Sequence, residues 1–177
     1  MEIYTVGNGN RPFKKLLPIL KEAQIDVIID VRAIRNSWSG SYVGENLAKS
    51  LKPKLLKHLA HCPNKHPGIC YYWFEGLGNH NAILARHLHF EKKALEEERL
   101  WQIEMYGERI RSGVLDHYVR AVLDLMDIYS KNTRFCLFCS EGRVLKKEKV
   151  NCHRYHIAER MVELMKENAV QLDVTHL

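Results

Sequence analysis

The stretch from Thr133 to Lys166 reads TRFCLFCSEGRVLKKEKVNCHRYHIAERMVELMK, and the rest of the chain is organised around it. Its first part, Phe135 to Cys139, is a continuous apolar run, which predicts a central strand buried on both faces. A polar segment follows from Ser140 to Asn151. Residues 152–154 then open a helix with its apolar residues on one face, namely Ile157, Met161, Leu164 and Met165. The stretch therefore predicts a strand, a loop and a helix.

Reactive side chains lie at the two junctions of this stretch. In open α/β sheets, ligands bind beyond the carboxyl ends of the strands, where a helix N-terminus offers unpaired N–H groups and a positive dipole end. We therefore expect the catalytic residues to be Cys139, Glu141, Cys152 and His153, with Arg154 binding an anion. A helix start beside histidine and arginine lowers a thiol pKa, which favours Cys152 as a nucleophile. The alternative is that Cys152 only caps the helix.

Length and composition indicate one domain, residues 1–177. The chain has 177 residues, 46% of them hydrophobic, which is enough for a substantial core. Met1 leads directly into a strand pattern, and no window has the length of a membrane span, so we expect a cytoplasmic protein without membrane contact. The net charge of +6 favours anionic partners, including nucleotides and nucleic acids. No cofactor is expected.

Four further segments predict strands: Glu2 to Val6, Val27 to Val31, Ile69 to Phe74 and Ala169 to Val174. Helical patterns separate them, including a charged one from Phe90 to Arg111 for which a solvated surface position is expected. This alternation predicts an α/β fold with a mainly parallel sheet of about five strands, flanked by helices on both faces.

Polar residues also follow the first two strands. Gly7 and Asn8 begin a turn that either contacts a phosphate or only connects strand to helix. Asp30 and Arg32 are two residues apart in extended chain and point to the same side, so they form a salt bridge or bind an anion. These four residues are the expected substrate-binding set, together with Arg154.

The five cysteines form an odd set without a secretion signal, which favours free thiols, metal ligation or catalysis over a disulfide framework. A zinc site would need Cys136, Cys139, Cys152 and His153 to meet. Residues three apart in a strand face opposite sides, so Cys136 and Cys139 share an ion only if the strand breaks at Phe138. No metal site is therefore assigned.

Five islands in this order resemble the family known as domain of unknown function 488: Thr5-Val6-Gly7-Asn8, Asp30-Val31-Arg32, Leu77-Gly78-Asn79, Cys139-Ser140-Glu141 and Cys152-His153-Arg154. The resemblance spans nearly the whole chain. It implies a compact α/β domain in which the islands converge on one pocket, and it implies no activity.

Three functions fit these residues. The first is an enzyme acting on a phosphorylated or nucleic-acid-derived substrate, in which arginines hold the anion, Glu141 or His153 moves a proton, and a cysteine is the nucleophile. The second is a non-catalytic nucleic-acid binder that uses the lysine-rich segment 143–149 and the aromatics Trp38 and Tyr42. The third is a rhodanese-like sulfurtransferase, because a cysteine between strand and helix, here Cys139, carries sulfur in that class.

Overall fold

A five-stranded sheet forms the centre of the molecule. The computed structural model describes residues 1–7, 13–33, 69–79, 92–139 and 152–177. The strands are β1 (Glu2–Gly7), β2 (Val27–Asp30), β3 (Cys70–Trp73), β4 (Phe135–Cys139) and β5 (Asp173–His176). They lie in the order β3-β2-β4-β1-β5, and every neighbouring pair is parallel. The predicted α/β fold with a parallel sheet is therefore confirmed.

Four helices occur in the described ranges: α1 (Phe13–Glu22), α2 (Lys92–Arg111), α3 (Asp116–Ile128) and α4 (His153–Glu167). A short 3-10 helix, Glu75–Leu77, follows β3. None of these helices combines the length and apolar character that crossing a bilayer requires. The helix predicted from residue 45 to residue 61 lies outside the described residues.

Strand β4 lies at the centre of the sheet, as the apolar run predicts. All five of its residues are buried, and it pairs with β1 on one side and β2 on the other. In this register Gly7 lies opposite Cys139, and Asp30 lies opposite Phe138. The carboxyl ends of the three strands therefore meet at one edge of the sheet.

Helices cover both faces of the sheet, and each face has its own hydrophobic core. The larger core joins α2, α3 and α4 to the sheet, with Ile29, Leu137, Cys139, Val119 and Ile157 among its members. The smaller core joins α1 to the opposite face and contains Val6, Leu16, Leu20, Ile28, Tyr71, Cys136 and Phe138. Alternation along β4 thus sends Cys136 and Cys139 to opposite faces.

The last strand begins later than predicted. The sequence pattern placed it from Ala169, but β5 runs from Asp173 to His176. Helix α4 ends in a turn in which the Val170 N–H donates to the Met165 carbonyl and Ala169 has a φ of 57°. This positive φ is incompatible with an extended strand, so the helix end displaces the strand towards the C-terminus.

Helix α2 is anchored in the core, contrary to its expected surface position. Its residues Gln102, Tyr106 and Ile110 are buried. The Tyr106 hydroxyl donates to the Leu77 carbonyl over 2.6 Å, which ties the helix to the turn after β3. The many charged residues of this segment concealed its buried side in the sequence.

The turn after β3 also packs directly on the chain that follows Arg32. A Cβ added to Gly78 would lie 2.1 Å from the backbone nitrogen of Ala33. Gly78 itself has an extended backbone, with φ −79° and ψ 146°, which any residue adopts. Glycine is therefore required here for close approach and not for its conformation.

We predict that Gly78→Ala destabilises the fold by about 1–3 kcal/mol, because backbone atoms cannot move aside as a side chain can. Gly76→Ala is the matched control: the three atoms nearest to its added Cβ all belong to the ring of Tyr118, an exposed side chain that can move aside more cheaply than backbone. Urea unfolding followed by circular dichroism measures both. An equal loss of stability in the two variants would contradict this assignment.

A bidentate ion pair joins α3 to α4. Arg160 donates from Nε to Oδ1 of Asp116 over 2.8 Å and from NH2 to Oδ2 over 2.7 Å. Arg160 also donates to Glu163 over 2.8 Å. The hydrogen bonds from Arg160 lower the pKa of Asp116 below its ordinary value. The pair therefore stabilises the fold while Asp116 is ionised.

We predict that Asp116→Asn costs about 1 kcal/mol at neutral pH. Because the folded-state pKa of Asp116 is below its unfolded value, the contribution is complete above the unfolded value. It is lost as pH falls through the folded value, so the difference between wild type and variant shrinks in acid. Urea unfolding at several pH values measures this, with the exposed Asp127→Asn as control. A difference that stays constant with pH would contradict the linkage.

Candidate active site

The candidate site lies where β4 ends and α4 begins. Cys139 is the last residue of β4, and Cys152 is the N-cap of α4, with φ −70° and ψ 166°. The helix starts at His153, so its dipole points its positive end towards the end of the strand. The strand and helix predicted from the sequence thus bring together two cysteines that are thirteen positions apart in the chain.

The two thiols and a guanidinium form one cluster. The Sγ atoms of Cys139 and Cys152 are 3.2 Å apart. NH1 of Arg154 donates to both, over 2.8 Å to Cys139 and 2.9 Å to Cys152. All three side chains are buried, with exposed fractions of 0%, 7% and 2% for Cys139, Cys152 and Arg154. A permanent positive charge therefore lies between two sulfur atoms away from solvent.

The cluster controls the protonation of its members. Burial raises the pKa of Cys152 well above its ordinary value, and the hydrogen bond and charge of Cys139 raise it further, while Arg154 opposes the shift. Burial acts against the charge on Arg154, but the two sulfurs outweigh it, so the pKa of Arg154 is raised. Cys152 thus retains its proton, so the lowered thiol pKa expected from the sequence is wrong because burial outweighs the charge of Arg154, and Arg154 stays charged.

His153 lies beside the cluster in neutral form. Burial, and then the charge of Arg154, lower its pKa to about 4, and Arg32 contributes in the same direction. Its ring packs edge-on against Tyr106, with centroids 5.7 Å apart. Among the described residues, its Nε2 atom has no hydrogen-bond partner. At neutral pH the imidazole is therefore a proton acceptor and not a cation.

Asp30 and Arg32 form a buried ion pair at the end of β2. Arg32 Nε donates to Oδ1 over 2.8 Å and to Oδ2 over 3.0 Å, and NH2 donates to Oδ2 over 2.5 Å. The Tyr71 hydroxyl also donates to Oδ2. Burial lowers the pKa of Arg32, but the hydrogen bond and charge of Asp30 outweigh it, so the net shift is upward. The salt-bridge alternative from the sequence is thus the arrangement that the structure contains.

The two arginines act from opposite faces of the same edge. The Arg32 guanidinium lies 4.9 Å from the ring centroid of Phe138, in the smaller core, whereas Cys139 belongs to the larger core. Both arginines nevertheless lower the pKa of His153. Within the part of the chain that the structure describes, Arg32 NH1 is buried and has no hydrogen-bond partner. This N–H group is suited to an anion.

The structure brings together most of the predicted site residues that it describes. Gly7 pairs with Cys139 in the sheet, Cys139, Cys152 and Arg154 form the cluster, and His153 lies beside it. Asp30 and Arg32 lie on the neighbouring strand end. Two of the predicted residues, Asn8 and Glu141, fall outside the described residues, as do Trp38, Tyr42 and the segment 143–149.

Several aromatic residues support the site and were not predicted from the sequence. Tyr71 holds Asp30, and Tyr106 packs on His153. Tyr155 lies under the Arg154 guanidinium, 4.8 Å from ring centroid to Cζ, and its ring contacts His176 at 4.3 Å. In the sequence, these tyrosines are marked only by their positions, because each lies in or next to a predicted strand or helix.

Three ligand atoms are close enough to share a metal ion: those of Cys139, Cys152 and His153 all lie within 4.8 Å of one another. Cys136 packs into the opposite core, so the four-residue zinc set is not assembled. Arg154, in contact with both sulfurs, repels a cation at this point. Cys136, Cys139 and Cys152 are free thiols, whereas Cys70 is disulfide-bonded and departs from the expectation of free thiols.

Comparison of the chain with protein-family profiles, curated proteins and solved structures gave no match. The resemblance to the family known as domain of unknown function 488 therefore stays a prediction.

We predict that Asp30→Asn destabilises the fold by about 3 kcal/mol or more, because it leaves the buried charge of Arg32 without its counter-ion. The matched control is Asp124→Asn, which alters an exposed carboxylate on α3. That variant should lie within about 0.5 kcal/mol of wild type. Urea unfolding measures both. Equal stability of the two variants would show that Asp30 and Arg32 do not act as a buried pair.

Proposed function

We propose that this protein is a cysteine-dependent sulfurtransferase in which Cys139 carries sulfur received from an anionic donor. The observation that supports this most directly is the cluster itself: two sulfur atoms 3.2 Å apart, both accepting hydrogen bonds from one buried guanidinium. A charge-assisted donor of this kind stabilises a thiolate and a persulfide anion alike.

The charges within the cluster favour Cys139 as the nucleophile. Cys152 holds its proton because burial and Cys139 raise its pKa. A single thiolate on Cys139 then balances the positive charge of Arg154, so the buried cluster is close to neutral. The thiol of Cys152 donates to this thiolate across the 3.2 Å contact. Cys139 thereby gains the charge that nucleophilic attack requires.

The reaction proceeds in two displacements. The Cys139 thiolate attacks the outer sulfur of a donor such as thiosulfate, the sulfur–sulfur bond of the donor breaks, and sulfite leaves with the electron pair. Cys139 now carries a persulfide anion, which keeps the negative charge beside Arg154. An acceptor nucleophile, such as cyanide or a thiolate, then takes the outer sulfur and restores the Cys139 thiolate.

An anionic donor fits the charges around the site. The buried guanidinium of Arg154 contacts both sulfurs, and at the same edge of the sheet Arg32 has a buried N–H group without a hydrogen-bond partner among the described residues. The neutral imidazole of His153 adds no charge and can accept a proton from an incoming thiol acceptor. This is the anion-binding role expected for both arginines, applied to a sulfur-containing anion.

The two other functions have less support among the described residues. The enzyme acting on a phosphorylated or nucleic-acid-derived substrate shares the arginines, but its carboxylate Glu141 lies outside the described residues. The nucleic-acid binder depends on Trp38, Tyr42 and the segment 143–149, which also lie outside them. Both stay predictions.

We predict that the reduced protein, quenched rapidly after mixing with thiosulfate, carries one added sulfur atom, detected by intact-mass measurement and located on Cys139 by peptide mapping. Cys139→Ser should abolish the gain, since a hydroxyl does not form a persulfide. Arg154→Ala should slow it by at least about tenfold, because the thiolate loses its charged hydrogen-bond donor. Cyanide should then yield thiocyanate.

Cys136→Ser is the matched control for this experiment, because Cys136 is a buried free thiol of the same strand that faces the opposite core. It should take up sulfur as wild type does. Near-ultraviolet circular dichroism verifies that each variant is folded, and Cys139→Ala provides a second test if the serine variant is not. A folded wild-type protein that neither gains sulfur nor releases sulfide with thiosulfate or 3-mercaptopyruvate would contradict the proposal.

A further inference from the structure

We propose that Cys152 resolves the persulfide on Cys139, releasing hydrosulfide and leaving a Cys139–Cys152 disulfide. This inference rests on the proposed function and extends it. The protein would then be a sulfide-releasing enzyme that depends on a dithiol reductant, in addition to passing sulfur to an acceptor. Single-turnover sulfur transfer needs only Cys139, whereas resolution needs the second thiol.

The distance between the two sulfurs supports this step. The Sγ atoms are 3.2 Å apart, and a disulfide bond is about 2.05 Å long, so they must approach by a little over 1 Å. The two residues belong to different elements, β4 and the N-cap of α4. A side-chain rotation at Cys152 can supply this movement without any change in the strand.

The proximity also selects which sulfur is attacked. In a persulfide on Cys139, the inner sulfur is the Sγ atom that already touches Cys152. The outer sulfur of the persulfide anion first takes the proton from Cys152. The resulting Cys152 thiolate attacks the inner sulfur, which forms the Cys139–Cys152 bond and breaks the bond to the outer sulfur, and the outer sulfur leaves with the electron pair as hydrosulfide.

The step is balanced without any added oxidant. The persulfide supplies the oxidising equivalent: its outer sulfur is reduced to sulfide, while the two cysteine sulfurs become a disulfide. The net negative charge passes from the persulfide to hydrosulfide. Arg154, which contacts both cysteine sulfurs, remains beside the reacting atoms throughout and stabilises the charge as it moves.

Completing a cycle requires a second chemical partner. The disulfide must be reduced by two thiol equivalents before Cys139 can accept sulfur again. The cluster is buried, with Cys152 exposed by 7% and Cys139 by 0%, so a small dithiol is favoured over a bulky reductant. The protein would therefore consume one donor and one dithiol for each sulfide released.

Cys136 cannot take the place of Cys152. It belongs to the core on the opposite face of the sheet and lies three residues from Cys139 within a fully paired strand. Its thiol is fully buried, which raises its pKa. A variant of Cys136 therefore tests the general effect of removing a buried thiol without touching the cluster.

The test is a single turnover without added thiol. Reduced protein is loaded with thiosulfate under anaerobic conditions and the donor is removed. Sulfide release is then followed with a bimane probe, and disulfides are mapped under non-reducing conditions. Wild type should release one sulfide for each Cys139–Cys152 disulfide formed. In Cys152→Ser the persulfide should persist, with sulfide release slowed by at least about tenfold.

The controls separate this inference from the proposed function. Cys136→Ser should behave as wild type, and Cys152→Ala replaces the serine variant if that one does not fold. A Cys152 variant that releases sulfide at the wild-type rate would overturn resolution while leaving sulfur transfer intact. A wild type that forms a persulfide but no Cys139–Cys152 disulfide would do the same. A Cys152→Ser variant that takes up no sulfur, together with a wild type that releases no sulfide, would overturn the function itself.

Discussion

Strand β4 pairs with β1 on one side and β2 on the other, and this pairing fixes where the ends of all three strands lie. Its five residues are buried, so every backbone group must be bonded within the sheet, and β1 and β2 provide those bonds. The register places Gly7 and Asp30 at the level of the last residues of β4. Shifting this register by one residue would move Cys139 to the opposite face of the sheet, where its sulfur would no longer contact Cys152 and Arg154.

Two buried arginines lie at this edge of the sheet, and their partners differ: Arg32 contacts a carboxylate, whereas Arg154 contacts two cysteine sulfurs. Arg32 is paired with a carboxylate that also accepts a hydrogen bond from Tyr71. Arg154 instead donates to sulfur atoms, whose protonation can change. The first pair stabilises the end of β2, whereas the second can respond to reactions at sulfur.

Local patterns were sufficient to predict much of the fold. The apolar run from Phe135 to Cys139 matches β4 residue for residue, and the apolar face of α4 is buried as expected. Both signals come from residues that are close together in the sequence. The same holds for the salt bridge between Asp30 and Arg32, which was one of the two arrangements expected for them. The predicted start of β5 was wrong because the strand can begin only after the turn that ends α4. The alternation of residues 169–174 does not reveal this turn.

Contacts between distant residues were beyond such patterns. The hydrogen bond from Tyr71 to Asp30 spans 41 positions, and that from Tyr106 to Leu77 spans 29. No spacing rule links such residues, since only the completed sheet brings them together. For the same reason, the sequence predicted that Cys139 and Cys152 belong to one site but not that their sulfur atoms touch.

The Tyr106 side chain joins three parts of the molecule that are far apart in the chain. Its hydroxyl holds the turn after β3, its backbone belongs to α2, and its ring rests against His153 at the first turn of α4. These parts cannot shift independently while the phenol stays in place. A substitution that displaces Tyr106 would therefore disturb the turn after β3 and the first turn of α4 together, directly beside the two thiols.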